Sequence, residues 1–250
     1  MTIKNFLQLL IISLLLSCSS QERSEDFCPE YIAHAGGEID SCIYTNSREA
    51  MENAYADGFR FLEFDLLFTC DSVLVAAHSW GEFNEMTDST HWGERAPSFR
   101  DFSSRKILGK YTPMSADEIN AFFLRHDSLY LVTDKISQPD VLQEYFPDIK
   151  ERMVVEAFSF QDYCRLKSQG YYRVLYSCMA DDLLPTLLST SINDIEWMAL
   201  HTSAFENNLF RLAAYVKRFK IALFTVNDLD SIPLEHRGMV KMMYTDFLQP

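Results

Sequence analysis

The side chains best suited to acid–base or metal chemistry fall at the ends of short apolar runs. His34 closes the run Tyr31–His34 and precedes Ala35-Gly36-Gly37, where the backbone can bend and approach a ligand closely. Glu63 and Asp65 stand at i, i+2 in an extended run, so both carboxylates project from one face. Two carboxylates a few ångströms apart repel unless a cation lies between them or one is protonated. Here they sit among Phe61, Leu62, Phe64, Leu66 and Leu67, where ionised groups need a partner, and a metal is the simplest one. Hard oxygen ligands of this kind suit Mg²⁺ or Ca²⁺. His78 ends a third run, and Asp134 with Lys135 follows a fourth. An isolated histidine is ordinarily a packing or surface residue, and Glu-x-Asp ordinarily marks a solvated strand face. It is the joint placement at run ends that points to chemistry.

The elements that must position these groups alternate. Strand-like runs occur at Tyr31–His34, Phe61–Leu67, Val73–His78, Leu129–Thr133, Met153–Ala157, Tyr172–Tyr176, Glu196–Leu200, Leu223–Val226 and Val240–Thr245. Helical spacing appears at Arg48–Asp57, Ile119–Phe123 behind a Ser115–Glu118 capping box, Pro139–Tyr145, Gln161–Gln169, Asp181–Leu188 and Ala204–Phe219. Such alternation predicts a parallel sheet covered by helices. Only five residues separate Leu67 from Val73, too few for a parallel crossover, so Val73–His78 is expected to return antiparallel as a hairpin. Eight strands remain, the number of a TIM-type (β/α)8 barrel, whose active site lies at the carboxyl ends of the strands. An open doubly wound sheet is the alternative, but no glycine-rich dinucleotide fingerprint follows the first strand. Residues 31–250 are expected to form one domain. The stretch between Ser79 and Pro113 lacks clear periodicity and is expected to be a long inserted loop that caps the site and selects the substrate head group, with Trp80 a candidate substrate contact.

Ile32-Ala33-His34-Ala35-Gly36, Thr45-Asn46-Ser47, Leu62-Glu63-Phe64-Asp65, Ala76-Ala77-His78, Phe224-Thr225-Val226-Asn227 and Tyr244-Thr245-Asp246 resemble, in order, the signature segments of the glycerophosphodiester phosphodiesterase family. The resemblance implies a TIM-type barrel and a metal-dependent hydrolysis of glycerophosphodiesters or a related head-group phosphodiester. Glu63, Asp65 and Asp134 would hold the divalent cation, Mg or Ca. His34 and His78 would act as general acid and base, and Lys135 would bind substrate. Four departures from the pattern bear on the substrate more than on the reaction. Ala35 stands where an arginine is usual, Thr45 replaces a glutamate, Ser79 replaces an aspartate, and Asp134 and Lys135 are adjacent rather than two apart. Two other readings are a phospholipase D-like or phosphatidylinositol-specific lyase relative giving a cyclic phosphate, and an inactive, lipid-anchored binding barrel.

The formal net charge is −14, which argues against nucleic acid as a partner and makes local positive charge necessary for any phosphodiester. Lys4, the apolar run Phe6–Leu16 and Ser17 read as a signal peptide over residues 1–17, too short to span a bilayer. Leu15-Leu16-Ser17-Cys18 resembles a bacterial lipobox, which implies lipidation at Cys18, a polar tether over residues 18–30 and a membrane-anchored, periplasmic or outer-membrane lipoprotein of the cell envelope. None of the six cysteines has a CxxC spacing; Cys164–Cys178 is a conceivable disulfide.

Overall fold

The computed structural model describes residues 30–215 and 218–250. The signal segment, Cys18 and the tether up to residue 29 lie outside the described residues, and Glu30 already belongs to the first strand. Eight parallel strands close on themselves: β1 (Glu30–Ala33), β2 (Phe61–Phe68), β4 (Tyr130–Asp134), β5 (Met153–Ala157), β6 (Arg173–Cys178), β7 (Trp197–His201), β8 (Lys220–Phe224) and β9 (Val240–Thr245). β1 pairs with both β2 and β9, which completes the barrel. The remaining strand, β3 (Leu74–Ala76), runs antiparallel to β2 with Leu66 opposite Ala76 and Phe68 opposite Leu74. The expected hairpin is therefore present. It is shorter than the run Val73–His78, and His78 lies beyond the end of β3.

Each strand feeds two apolar layers because successive side chains face opposite ways. Ile32, Phe61, Val132, Val154, Leu175, Ala199, Ala222, Met242 and Tyr244 fill the barrel, at least one from every strand. Leu62, Phe64 and Leu66 point outward and pack with the covering helices. This parity decides where the acids go. Glu63 and Asp65 share the inward face of Phe61, Asp134 that of Val132, and Glu156 that of Val154.

The helices are α1 (Arg48–Ala56), α2 (Trp80–Met86), α3 (Phe99–Ser104), α4 (Ala116–Arg125), α5 (Pro139–Tyr145), α6 (Phe160–Ser168), α7 (Ala180–Leu188), α8 (Thr202–Glu206) and α9 (Leu209–Ala213). The capping box at α4 is complete, with Ser115 Oγ accepting from the Glu118 N–H and the Glu118 carboxylate accepting from the Ser115 N–H. Two expectations are corrected. The helix expected over Ala204–Phe219 is two short ones, because the Asn208 side chain donates to the Ala204 carbonyl and competes with the helical ladder. The stretch after Ser79 is a folded cap rather than a loop. It contains α2, α3 and a 3₁₀ turn, Thr90–Trp92, and Phe83, Phe102, Ile107 and Tyr111 pack against Val75 and Ala77 in a small core of its own. Cys164 is exposed, Cys178 is buried, and both are free thiols.

Candidate active site

All of the expected chemical groups except Trp80 converge on the carboxyl ends of the strands. The register places Asp65 of β2 directly opposite Asp134 of β4. Glu63 lies one inward step deeper. Oxygens of Glu63, Asp65 and Asp134 lie within 4.8 Å of one another. Glu63 is 1 % exposed; its Oε2 accepts the Ala35 N–H at 2.7 Å, while its Oε1 is buried and has no hydrogen-bond partner. Burial first, and then the Asp65 and Asp134 charges, push the Glu63 carboxyl well above the usual range. The same two causes, burial and Asp65, raise Asp134 to about 6 against the opposing pull of Lys135. A buried acceptor without a donor, facing two further carboxylates, fits a hard divalent cation, since a cation removes both the repulsion and the unsatisfied lone pair.

Lys135 sits where β4 has ended. Its φ of 68° turns the chain back, so Asp134 and Lys135, which would diverge on a continuing strand, both reach the cluster. Lys135 Nζ lies 3.3 Å from Asp65 and 3.7 Å from Asp134. Burial works against its charge, but the two aspartates outweigh burial and raise its pKa.

The two histidines flank Tyr44 at the same end of the barrel. His34 is in the turn after β1, and its Nδ1 meets Asp246 Oδ1 at 2.9 Å. Asp246 Oδ2 accepts from Asn227 Nδ2 at 2.7 Å, and the Asp246 N–H donates to Asn227 Oδ1 at 2.8 Å. Burial opposes ionisation of Asp246, but the His34 and Asn227 bonds hold its carboxyl below the usual range. An ionised acceptor on Nδ1 keeps the proton on that nitrogen and presents Nε2 to the mouth of the barrel. His78 is delivered by the hairpin, since the Ala77 N–H donates to the Asp65 carbonyl at 2.9 Å. Its Nδ1 lies 2.5 Å from Glu82 Oε2. Tyr44 stands between the histidines, with its ring centroid 4.7 Å from that of His34 and 5.0 Å from that of His78. Burial, and then Asp246, push the Tyr44 hydroxyl up to about 12.

A small pocket beside His78 is lined by Tyr44, Thr45, Ala77, Glu82, Phe83, Met86 and Ile107, so the cap forms one wall of the site. Trp80 packs edge-on against Phe83 and Phe102 within the cap, and it is not among the residues that line this pocket.

Apart from Glu156, whose place in its strand could turn it into the barrel as a site residue, several residues of the site received no role from the sequence. Asp65 is braced by Asn46, whose Nδ2 donates to Asp65 Oδ2 at 3.0 Å and whose Oδ1 accepts the Asp65 N–H at 3.2 Å. Asn46, Asn227 and Asp246 all lie in segments that carry the family resemblance, which was the signal available. Tyr44 and Glu82 lie outside those segments. Glu156 is buried in the barrel, accepts from the Tyr244 hydroxyl, and has its pKa raised to about 8 by burial and then by Asp134.

The fold and site define a TIM-type barrel carrying a carboxylate cluster and two histidines at the carboxyl ends of its strands. Residues 34–108 match the model of the Glycerophosphoryl diester phosphodiesterase family, a family of phosphoric diester hydrolases. The rest of the barrel is tied to it by fold. A glycerophosphodiester phosphodiesterase from Thermotoga maritima is 15 % identical with a TM-score of 0.67, over 88 % of this chain and 95 % of that one. One from Agrobacterium tumefaciens is 14 % identical with a TM-score of 0.63, over 88 % and 97 %. A phosphodiesterase of Oleispira antarctica, solved in complex with the product sn-glycerol-3-phosphate, is 16 % identical with a TM-score of 0.62, over 90 % and 95 %. Among curated proteins, separin of Saccharomyces cerevisiae is 29 % identical over 105 residues; the chain spans 6 % of that protein's length, and the likeness carries no functional argument.

Proposed function

We propose that the chain hydrolyses glycerophosphodiesters, or a related head-group phosphodiester, with a divalent cation at Glu63, Asp65 and Asp134. The observation that carries this reading is the unpartnered, buried Glu63 Oε1 grouped with two further carboxylates. Mg²⁺ and Ca²⁺ both suit an all-oxygen donor set. When bound, the cation supplies Lewis-acid polarisation of a phosphoryl oxygen.

The chain's own residues do the rest. His34, fixed by Asp246, offers Nε2 to take or give a proton at the mouth. His78 offers the second such nitrogen, beside the pocket that the cap encloses. Lys135 supplies positive charge for an anionic diester at the edge of the cluster. Ala35 contributes its backbone N–H to Glu63 instead of an arginine side chain to the phosphate. That the Oleispira antarctica protein holds sn-glycerol-3-phosphate supports the same substrate class here. Lipid anchoring at Cys18 in the cell envelope belongs to the proposal and rests on the sequence of residues 1–18.

The test is a panel of glycerophosphodiesters incubated with Mg²⁺ or Ca²⁺, with His34→Ala as control. Release of glycerol phosphate by wild type alone is expected. No product from any member with either cation sinks the reading, and a cyclic phosphate transfers it to the lyase class.

A further inference from the structure

We infer that Glu82 is a positioning residue for His78, supplied by the cap in place of the aspartate that the family pattern sets directly after this histidine and that here is Ser79. The inference deepens the proposed function and rests on His78 taking part in proton transfer.

Among the described residues, one N-terminal motif recurs at four helices. Ser79–Glu82, Ser98–Asp101, Ser115–Glu118 and Ser159–Asp162 all have serine at the N-cap and an acid three residues on. In every case the serine hydroxyl accepts the backbone N–H of that acid. In three of them the acid also turns back to its own serine. Asp101 takes the Ser98 hydroxyl at 2.7 Å, Asp162 the Ser159 hydroxyl at 2.6 Å, and Glu118 the Ser115 N–H at 2.9 Å. Only Glu118 closes a full capping box, the two aspartates accepting the serine hydroxyl instead.

Glu82 alone of the four does not turn back to its serine. Its carboxylate passes over Ser79 and lands on His78 Nδ1 at 2.5 Å. At the start of this helix Glu94 Oε2 accepts the Gly81 N–H at 3.0 Å and Ser79 Oγ accepts the Glu82 N–H at 3.1 Å. The Glu82 carboxylate is spent on the imidazole instead of on its own N-cap. Both partners are about a third to a half exposed, so this pair adds little to folding. Its effect falls on the ring: an acceptor on Nδ1 keeps the proton there and leaves the Nε2 lone pair free. The site therefore holds two histidines of the same polarity, His34 backed by Asp246 from the barrel and His78 backed by Glu82 from the cap.

The test compares wild type, Glu82→Gln and Glu82→Ala, each loaded with Mg²⁺ or Ca²⁺ and assayed on sn-glycero-3-phosphocholine. Alongside, ¹⁵N NMR of the His78 ring at alkaline pH reports its tautomer independently of turnover. Glu82→Ala should move the His78 proton from Nδ1 toward Nε2 and lower kcat about 10- to 100-fold, with KM held within about twofold. Glu82→Gln keeps an acceptor oxygen for Nδ1–H and should retain the wild-type tautomer and most of kcat. An unchanged tautomer in Glu82→Ala overturns the inference. So does a changed tautomer with unchanged kcat; if His78→Ala is then also fully active, the failure belongs to the reading of His78 as a proton-transfer group.

Discussion

Most substitutions of a fully buried side chain destabilise a fold, but Glu63→Gln is expected to do the opposite in the absence of metal. Glu63 is 1 % exposed, and its ligand oxygen lies within 4.8 Å of those of Asp65 and Asp134. Two like charges at that separation repel by about 3 kcal/mol at an effective dielectric of about 20. Burial and these charges push the Glu63 carboxyl well above the usual range, and its Oε1 is left without a partner. Glutamine keeps an oxygen to accept the Ala35 N–H and brings an amide that can donate to either aspartate. In EDTA at pH 7.5 its melting temperature should therefore equal or exceed that of wild type. Cation should act in the opposite sense. At about 100 times its dissociation constant a ligand that binds only the folded state adds about 2.7 kcal/mol, which for a domain of this size raises the melting temperature by about 5–10 °C. Thermal unfolding followed by circular dichroism, with and without Mg²⁺ or Ca²⁺, reads both effects. Wild type should show the rise and Glu63→Gln should lose most of it. Equal rises in the two proteins, or none in wild type with either cation, would refute the assignment of the cluster.

Three further outcomes follow from the same geometry. Asp246→Asn offers His34 Nδ1 an amide in place of a carboxylate; kcat should fall by about 10²- to 10⁴-fold with the cation-induced rise in melting temperature retained. Glu156, raised to about 8, binds a proton in the folded chain that it releases at about 4.3 when unfolded. Its contribution to stability is therefore complete below pH 4 and is lost as the pH rises through about 8. Chemical denaturation of the metal-free protein should show stability falling between about pH 5 and 8, and Glu156→Gln should flatten that fall. Phe102, fully buried in the core of the cap, is remote from the barrel acids; Phe102→Ala should expose residues 79–113 to limited proteolysis and raise KM, while cation still stabilises the barrel.

The barrel was legible because its signals are local. Met153–Ala157 and Val240–Thr245 are strands at the expected residues, Pro139–Tyr145 is a helix at the expected residues, and the loop-length argument gave the antiparallel β3. Alternation along β2 likewise fixed Glu63 and Asp65 on one face. The cap was not legible, because α2 and α3 are only seven and six residues long and are stabilised by serine caps and by contacts between Phe83, Phe102 and Ile107 rather than by an amphipathic period. Glu82 was hidden for a related reason. Ser79-Trp80-Gly81-Glu82 reads as an ordinary capping box, and only the three-dimensional contact with His78 shows where its acid goes. Lys135 was named from the sequence, but whether it could share the site with its neighbour Asp134 depended on the strand ending there, which its positive φ shows.

The charge balance of the mouth ties substrate binding to cation binding. The chain carries a net −14, and Glu63, Asp65 and Asp134 sit together with Lys135 as the cationic side chain in contact with them. Lys135 is itself committed, its ammonium lying against both aspartates. No arginine compensates at position 35, because that residue is a fully buried alanine in the left-handed region whose contribution is a backbone N–H. A phosphodiester approaching this arrangement meets more negative than positive charge. On the proposed function, a divalent ion on the three carboxylates would change the sign of that balance and relieve Lys135 of part of its load, so that with alanine at position 35 the cation would be needed to bind the diester as well as to cleave it.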